Sequence, residues 1–295
     1  MPRVAILTPD PAEADNATLW PKVLARLQSA LDGAGIETEP TPWTAHVESA
    51  DGLHGYDRVL PLLAWGYHFQ HARWLRACAA WEREAVPMSN PARVLAWNSD
   101  KRYLARLAER GVAIPPTVFA DALSEEIVER AFDHTGADAL IVKPAVSGGA
   151  WKTRRIRRGD AVDAASGTTM LLQPYLPAIE TDAETSLLYF GGRFSHAVNK
   201  RPVPGEFRIQ EEFGGRYSLL SPPEGALALA GQVLAAVDDP LLYARIDMVP
   251  DAGGRWLLME AELIEPDFYL GVDPAQGAGF ARALLEAVGR PRRTA

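Results

Sequence analysis

Cysteine is almost absent. Cys78 is the only one in 295 residues, which excludes an intrachain disulfide and any cysteine-based zinc site. Its neighbours Trp74, Leu75 and Trp81 make it a buried packing residue. Long apolar runs are missing as well. None approaches the roughly 18 residues a membrane span needs, and Val4–Leu7 behind one arginine is too short for a signal-peptide core. A cytoplasmic protein is expected. Positive charge is scarce: 30 Lys plus Arg stand against 38 Asp plus Glu, a net charge of −8. That sign argues against nucleic-acid and anionic-membrane partners. Neither the Gly-Lys-Ser/Thr end of a P-loop nor the GxGxxG of a dinucleotide fold occurs. What is present is ordinary globular composition, 47% hydrophobic and 23% charged, in a chain long enough for about two domains and without internal repeats.

The first third alternates strands and helices. Arg3–Leu7 reads as a strand, Leu19–Leu31 as an amphipathic helix, Ile36–Pro42 and Arg58–Leu63 as further strands, and Phe69–Glu84 as a second helix. Such alternation predicts a parallel sheet. Pro87, Asn90 and Pro91 punctuate the chain before a helix capped by Asn98 or Ser99 and running to about Arg110, so a first boundary is expected near residue 95. Beyond it the pattern is α+β: a helix over Glu125–His134, strands at Ala139–Pro144, Met170–Pro174, Glu184–Phe190 and Arg193–Asn199, a helix over Glu224–Val237, then strands at Leu242–Val249 and Arg255–Glu262. Gly191-Gly192 should form a two-residue hairpin turn, and Arg290–Arg293 a frayed tail.

Three carboxylates carry the strongest chemical signal. Asp247 is followed, twelve residues on, by Glu260-Ala261-Glu262. Residues two apart on a strand share a face, and a turn near Gly253 would set Asp247 within about 5–8 Å of them, Cβ to Cβ. Unpaired, such anions repel; a hard divalent cation with oxygen ligands makes the cluster favourable, so Mg²⁺ is the economical reading beside that of an ordinary polar hairpin face. Lys143 ends an apolar strand and precedes Ala145-Val146-Ser147-Gly148-Gly149, a loop able to turn backbone N–H groups toward an anion. His68 and His71 lie three apart with no evident third ligand, which suits packing or substrate contact better than a metal.

Over roughly Asn98 to Pro266 these residues resemble the ATP-grasp carboxylate–amine ligases, in particular the glutathione synthetase, D-alanine ligase and RimK-like branches. The family's two nucleotide lysines correspond to Lys101 and Lys143, and its adenine hinge resembles Gln173-Pro174-Tyr175-Leu176. Pro174 lacks an N–H, so the hinge donor would be Tyr175 or Leu176. The acidic ribose contact is most similar to Glu184, with Glu180 in reserve. The Arg-x-Asp…Glu-x-Asn metal signature resembles Arg245, Asp247, Glu260 and Glu262, with Glu262 where many members have Asn. Asn98–Leu104 and Glu262–Pro266 look most like a subgroup that includes the ring-closing ligase of D-cycloserine biosynthesis.

The resemblance implies an α/β fold with an α+β C-terminal half: an N-terminal parallel domain over 1–95, then two subdomains, 96–172 and 173–290, sandwiching ATP. It implies an ADP-forming, Mg²⁺-dependent ligase that makes an amide through an acyl phosphate. Small carboxylate and amine substrates are its partners, and antibiotic biosynthesis is its setting. Asp247, Glu260 and Glu262 would hold metal; Lys101, Lys143, Ser147, Gly148 and Gly149 the phosphates; Arg245 the oxyanion; Lys200 and Arg208 the substrate carboxylate. The loop Ser147–Trp151 would close as a flap, and Trp65–His68 could line the acceptor pocket. A nucleotide-binding module without ligase catalysis and an acyl kinase remain alternatives. Relatives are often dimers or tetramers, which leaves oligomeric state open.

Overall fold

Apolar runs and amphipathic stretches at the N-terminus become a three-stranded parallel sheet. Its strands are β1 (Arg3–Thr8), β2 (Glu37–Pro42) and β3 (Arg58–Leu60), in the order β2-β1-β3. The structure, a computed structural model, describes residues 1–12, 19–162, 166–203, 208 and 214–289. Helix α1 (Trp20–Asp32) buries Leu24, Leu27 and Leu31 on one stripe, the helical spacing that turns one face to a sheet. Helix α2 (His71–Arg83) buries Trp74, Cys78 and Trp81 on the other side. Central β1 is therefore apolar on both faces: Ala5 and Leu7 meet the α2 cluster, Val4 and Ile6 the α1 cluster. The expected strand to Leu63 stops at Leu60, because Pro61 has no N–H to continue the ladder.

A helix the sequence did not signal, α3 (Ala92–Asn98), precedes the one expected from residue 98 to about Arg110, which is shorter: α4 (Tyr103–Glu109). Asn98 ends α3 instead of capping a helix. Its amide donates to Ala261 O at 2.8 Å and accepts from Leu263 N at 3.0 Å, joining this segment to a distant strand. A four-stranded antiparallel sheet follows, built from β4 (Val118–Ala122), β5 (Ala139–Pro144), β6 (Arg154–Arg157) and β7 (Ser166–Pro174) in the order β4-β7-β5-β6. Helix α5 (Glu125–Thr135) covers it through Val128, Ala131 and Phe132. Ser124 caps α5 by accepting from Ile127 N, and Gly136 ends it in the left-handed region.

After the short α6 (Ala178–Thr181) comes a five-stranded antiparallel sheet: β8 (Glu184–Phe190), β9 (Arg193–Arg201), β10 (Arg216–Leu220), β11 (Tyr243–Pro250) and β12 (Trp256–Glu262), ordered β10-β9-β8-β11-β12. Phe190 pairs with Arg193 across Gly191 and Gly192, whose φ of 57° and 77° suit the tight turn the sequence predicts. Helix α7 (Glu224–Ala235) and α4 cover one face, where Leu104, Leu107, Leu229 and Val233 pack on Leu187, Ile246 and Leu258. Helix α8 (Ala278–Val288) packs Phe280 and Leu284 against Phe190 and Phe268. Among the described residues no helix is long and apolar enough to cross a membrane. Residues 290–295, with the expected tail, lie outside the described set.

Candidate active site

Strand register gathers the polar residues on one face of the five-stranded sheet. Glu184 lies opposite Lys200 across β8 and β9, Ser186 opposite Asp247 across β8 and β11, and Asp247 and Arg245 opposite Glu260 and Glu262 across β11 and β12. Directly paired residues project to the same side, so all these side chains share a face. The alternate residues Leu187, Ile246 and Ala261 enter the core. The register shifts between Asp247 and Met248, which ends regular pairing just past the cluster.

Every one of those carboxylates meets a cation. Lys200, buried, lies 2.5 Å from Glu184 Oε1 and 3.0 Å from Asp247 Oδ2. The Arg245 guanidinium donates to Asp247 at 3.0–3.2 Å and also to Glu262. Ser186 Oγ donates to Asp247 Oδ1 at 2.5 Å. Burial alone would raise the Asp247 carboxyl, but Arg245 and Lys200 outweigh it and hold it well below the usual carboxylate range. Burial likewise works against the Lys200 charge, and Asp247 and Glu184 more than offset it. Glu260 pairs with Lys101 at 3.0 Å, and the same ammonium donates to Ser147 O at 2.9 Å and Oγ at 3.3 Å. One lysine thus ties the glycine loop after β5 to the end of β12. Lys143, half-buried at the end of β5, is pushed below its ordinary value by burial, with Glu260 partly restoring it.

Pairing does not offset burial at every acid. Burial, reinforced by Glu260 and Asp247, pushes the Glu262 carboxyl well above the carboxylate range despite Arg245 beside it. The oxygens of Asp247, Glu260 and Glu262 are not all within 4.8 Å of one another; among the described residues the group gathered that closely is Asp51, His54 and Glu84, largely exposed at the parallel sheet and with no second sign of a ligand.

The loop Ser147–Trp151 packs on the segment after β3. A Cβ at Gly148 would lie 3.2 Å from His68 Nδ1, and the Trp151 ring sits 5.9 Å from that of His68 and 5.4 Å, edge-on, from that of Phe69. Burial and the nearby Lys101 lower His68 to about 4, so it is neutral at physiological pH. His71 Nε2 lies 2.9 Å from Ser99 Oγ. In the hinge, Gln173 is buried; its amide donates to Thr117 Oγ1 at 3.0 Å while Oε1 is buried without a partner among the described residues. Tyr175 N–H goes to Ala139 O at 2.8 Å, so of the two expected hinge donors only Leu176 is left. Glu180 is at the surface, accepting from Tyr175 OH and Arg155, whereas Glu184 is buried against Lys200. Arg208 is half-buried, and its flanking residues lie outside the described set.

Sequence reasoning missed several neighbours. Ser186 was findable, since it lies two residues from Glu184 on the same strand face. Tyr269 carried no signal: it follows an irregular turn with φ 50°, and its ring lies 5.3 Å from the Arg245 guanidinium carbon and 5.9 Å from Lys200 Nζ.

No protein-family model matches the chain. It is 30% identical over 287 residues to the cycloserine biosynthesis protein DcsG of Streptomyces lavendulae, an alignment covering 88% of this chain and 92% of that one. The crystal structure of D-cycloserine synthetase DcsG superposes with a TM-score of 0.80 at 25% identity, covering 97% of this chain and 99% of the other. D-alanine–D-alanine ligase from Bacillus anthracis has the same fold, with a TM-score of 0.72 at 13% identity over 98% and 97% of the two chains, and has also been solved with ATP. The chain belongs to the ATP-grasp ligases, enzymes that use ATP to form C–N bonds, in the group that includes DcsG.

Proposed function

We propose that this enzyme phosphorylates the carboxylate of a small amino acid and delivers the resulting acyl group to an amine, with ring closure onto an amine of the same molecule as the form favoured by likeness to DcsG. The observation that carries the reading is Lys101, held at once by the glycine-loop Ser147 and by Glu260 of β12, so that a phosphate-binding loop and an acidic cluster meet at one ammonium. D-cycloserine, named for that relative, is a cyclic amide with a free amine; opening its amide bond gives β-aminooxy-D-alanine, the first acid to test.

The residues suit a nucleotide. Gln173 Oε1, buried and unpartnered, offers adenine an acceptor, and Leu176 N–H a donor. Lys101, Lys143 and the amides of Ser147, Gly148 and Gly149 would neutralise triphosphate oxygens, which is the main task in phosphoryl transfer. Glu184 would take the ribose. The donor set Asp247, Glu260 and Glu262 is all oxygen, and at Glu262 burial outweighs the single arginine beside it, which fits Mg²⁺. When bound there the ion would supply charge neutralisation between phosphates.

The rest belongs to the chain's own side chains. Arg245, a permanent cation with a planar fork of donors, would stabilise the oxyanion as amine attacks acyl phosphate. Lys200 and Arg208 would hold the substrate carboxylate, Lys200 by exchanging part of its bond to Glu184 or Asp247. Packing of Ser147–Trp151 on His68 and Phe69 would keep water from the acyl phosphate. The test is ADP and phosphate release that depends on β-aminooxy-D-alanine or D-alanine, with the cyclic amide or dipeptide identified by mass. Glu260→Gln should abolish it; wild-type turnover in that variant would remove the metal assignment.

A further inference from the structure

Among the described residues one buried side-chain oxygen has no hydrogen-bond partner, Gln173 Oε1. The residue is 1% exposed, so bulk water does not fill that acceptor, and leaving it empty is costly. The other end of the amide is held. Gln173 Nε2 donates to Thr117 Oγ1 at 3.0 Å, and Thr117 Oγ1 donates to Pro115 O at 2.7 Å. This short chain has only one direction. A carbonyl oxygen can only accept, so it takes the single hydroxyl hydrogen of Thr117; the hydroxyl oxygen is then left to accept, and only the NH₂ end of the amide can face it. Oε1 is thereby turned away from Thr117.

Strand register shows where that oxygen lies. Val118 of β4 pairs with Leu172 of β7, which brings Thr117, one residue earlier, alongside Gln173. Met170 and Leu172 pack with Leu140 and Val142 in the cluster under α5. The alternate residues Leu171 and Gln173 therefore face the other way. Gln173 pairs with Ile141 and Leu171 with Lys143, so Gln173 shares a sheet face with Lys143, one strand repeat of roughly 7 Å along. An acceptor thus sits beside the phosphate lysine, at the distance of the next group of the same ligand. A 6-amino purine presents a donor at its edge, whereas a 6-oxo purine presents a second acceptor.

Resting on the nucleotide reading of this site, we propose that Thr117 is the positioning residue that sets the choice of purine. Acting through Gln173, it holds Oε1 toward the base as an acceptor, so that the site takes a 6-amino purine and rejects a 6-oxo purine.

The experiment is calorimetric titration of the full chain with Mg²⁺ and three diphosphates that differ at position 6 of the base: ADP, purine riboside 5′-diphosphate, which lacks the amino group, and IDP, which carries an oxo group. The wild type should bind ADP about tenfold more tightly than purine riboside diphosphate, the effect of one buried hydrogen bond, and IDP about tenfold more weakly again. Thr117→Val should bring the first preference to within about threefold and bind IDP about fivefold more tightly than the wild type does, because the freed amide can turn its NH₂ to the oxo group. Contacts with the rest of the base are common to both proteins and cancel in these ratios. Thr117→Ala should match Thr117→Val, and Thr117→Ser, which keeps the hydroxyl, should retain the wild-type order. Gln173→Leu should lose the ADP preference, and adding Thr117→Val to it should change that preference no further. Equal weakening of all three ligands by Thr117→Val, or equal binding of ADP and purine riboside diphosphate by the wild type, overturns the assignment while leaving the nucleotide site standing. A wild type that binds no ADP removes the nucleotide reading, and the role of Thr117 with it.

Discussion

Asp247→Asn tests the logic of the charged face most directly. Asp247 is shared by Lys200 at 3.0 Å and Arg245 at 3.0–3.2 Å, and Ser186 donates to it at 2.5 Å. The amide keeps shape and volume but removes the charge, leaving two buried cations to Glu184 and Glu262 alone. Breaking a buried pair costs about 3–5 kcal/mol; both cations keep a second partner, so about 3 kcal/mol is expected. With an unfolding entropy of about 2.1 cal/mol/K per residue, that is a fall in Tm of roughly 5 °C for 295 residues. Lys200→Met removes the same Lys200–Asp247 pair from the other side, so the double variant should lose less than the sum of the single effects, a non-additivity that scanning calorimetry of the four proteins measures. The pH dependence has a definite sign. A carboxyl held below its unfolded value near 3.9 contributes its stability above about pH 4 and loses it as pH falls further, so the wild-type advantage should be full at pH 7 and shrink below pH 4. An unchanged Tm in Asp247→Asn, or a double variant that loses the sum of the single effects, would refute the shared-anion account.

Lys101→Met removes the ammonium between Ser147 and Glu260 and should lower kcat for ADP formation by at least about 100-fold, as steady-state assays would record. Gly148→Ala places a methyl 3.2 Å from His68 Nδ1 and must displace the ring or the loop; a loss of about tenfold in kcat/KM for ATP is expected, partly rescued by His68→Ala, and no loss would show that this contact does not seat the loop.

How much of this was legible follows from which residues carried periodicity. The turn near Gly253 and the spacing from Asp247 to Glu262 put Asp247 beside the two glutamates, and the register pairs it with Glu260, because strand geometry leaves little freedom once a turn is located. Short edge strands escaped: β4, β6 and β10 carry exposed or charged residues and lack the apolar run that marks a central strand. The junction of α3 and α4 was misjudged because Asn98 looks like a helix cap, while its amide in fact pairs with β12 some 160 positions away, a partner no local rule supplies. Cation pairing was illegible for a similar reason. Lys200 falls just past the strand the sequence predicts, Arg193–Asn199; β9 runs on to Arg201 and sets Lys200 opposite Glu184.

Mutual pairing of the site's charges has a consequence for the order in which ligands are accepted. Lys101 is paired with Glu260, so under the roles proposed above a triphosphate at Lys101 would compete with that carboxylate, and a cation at Glu260 would compete with that lysine. Each ligand frees the group the other needs. ATP and a divalent cation should therefore bind with positive coupling, and linkage makes the effect reciprocal. Glu260→Gln gives this a sign that simple loss of a ligand does not. Measured with chelator present, the variant should bind ATP about tenfold more tightly than wild type, since Lys101 no longer has an internal anion. With Mg²⁺ present the order should reverse, because a charged carboxylate ligand has become a neutral amide. Fluorescence titration under the two conditions separates these outcomes. Weaker binding of ATP by the variant in both would mean that Glu260 does not restrain Lys101, and the internal pair would then be only a resting contact.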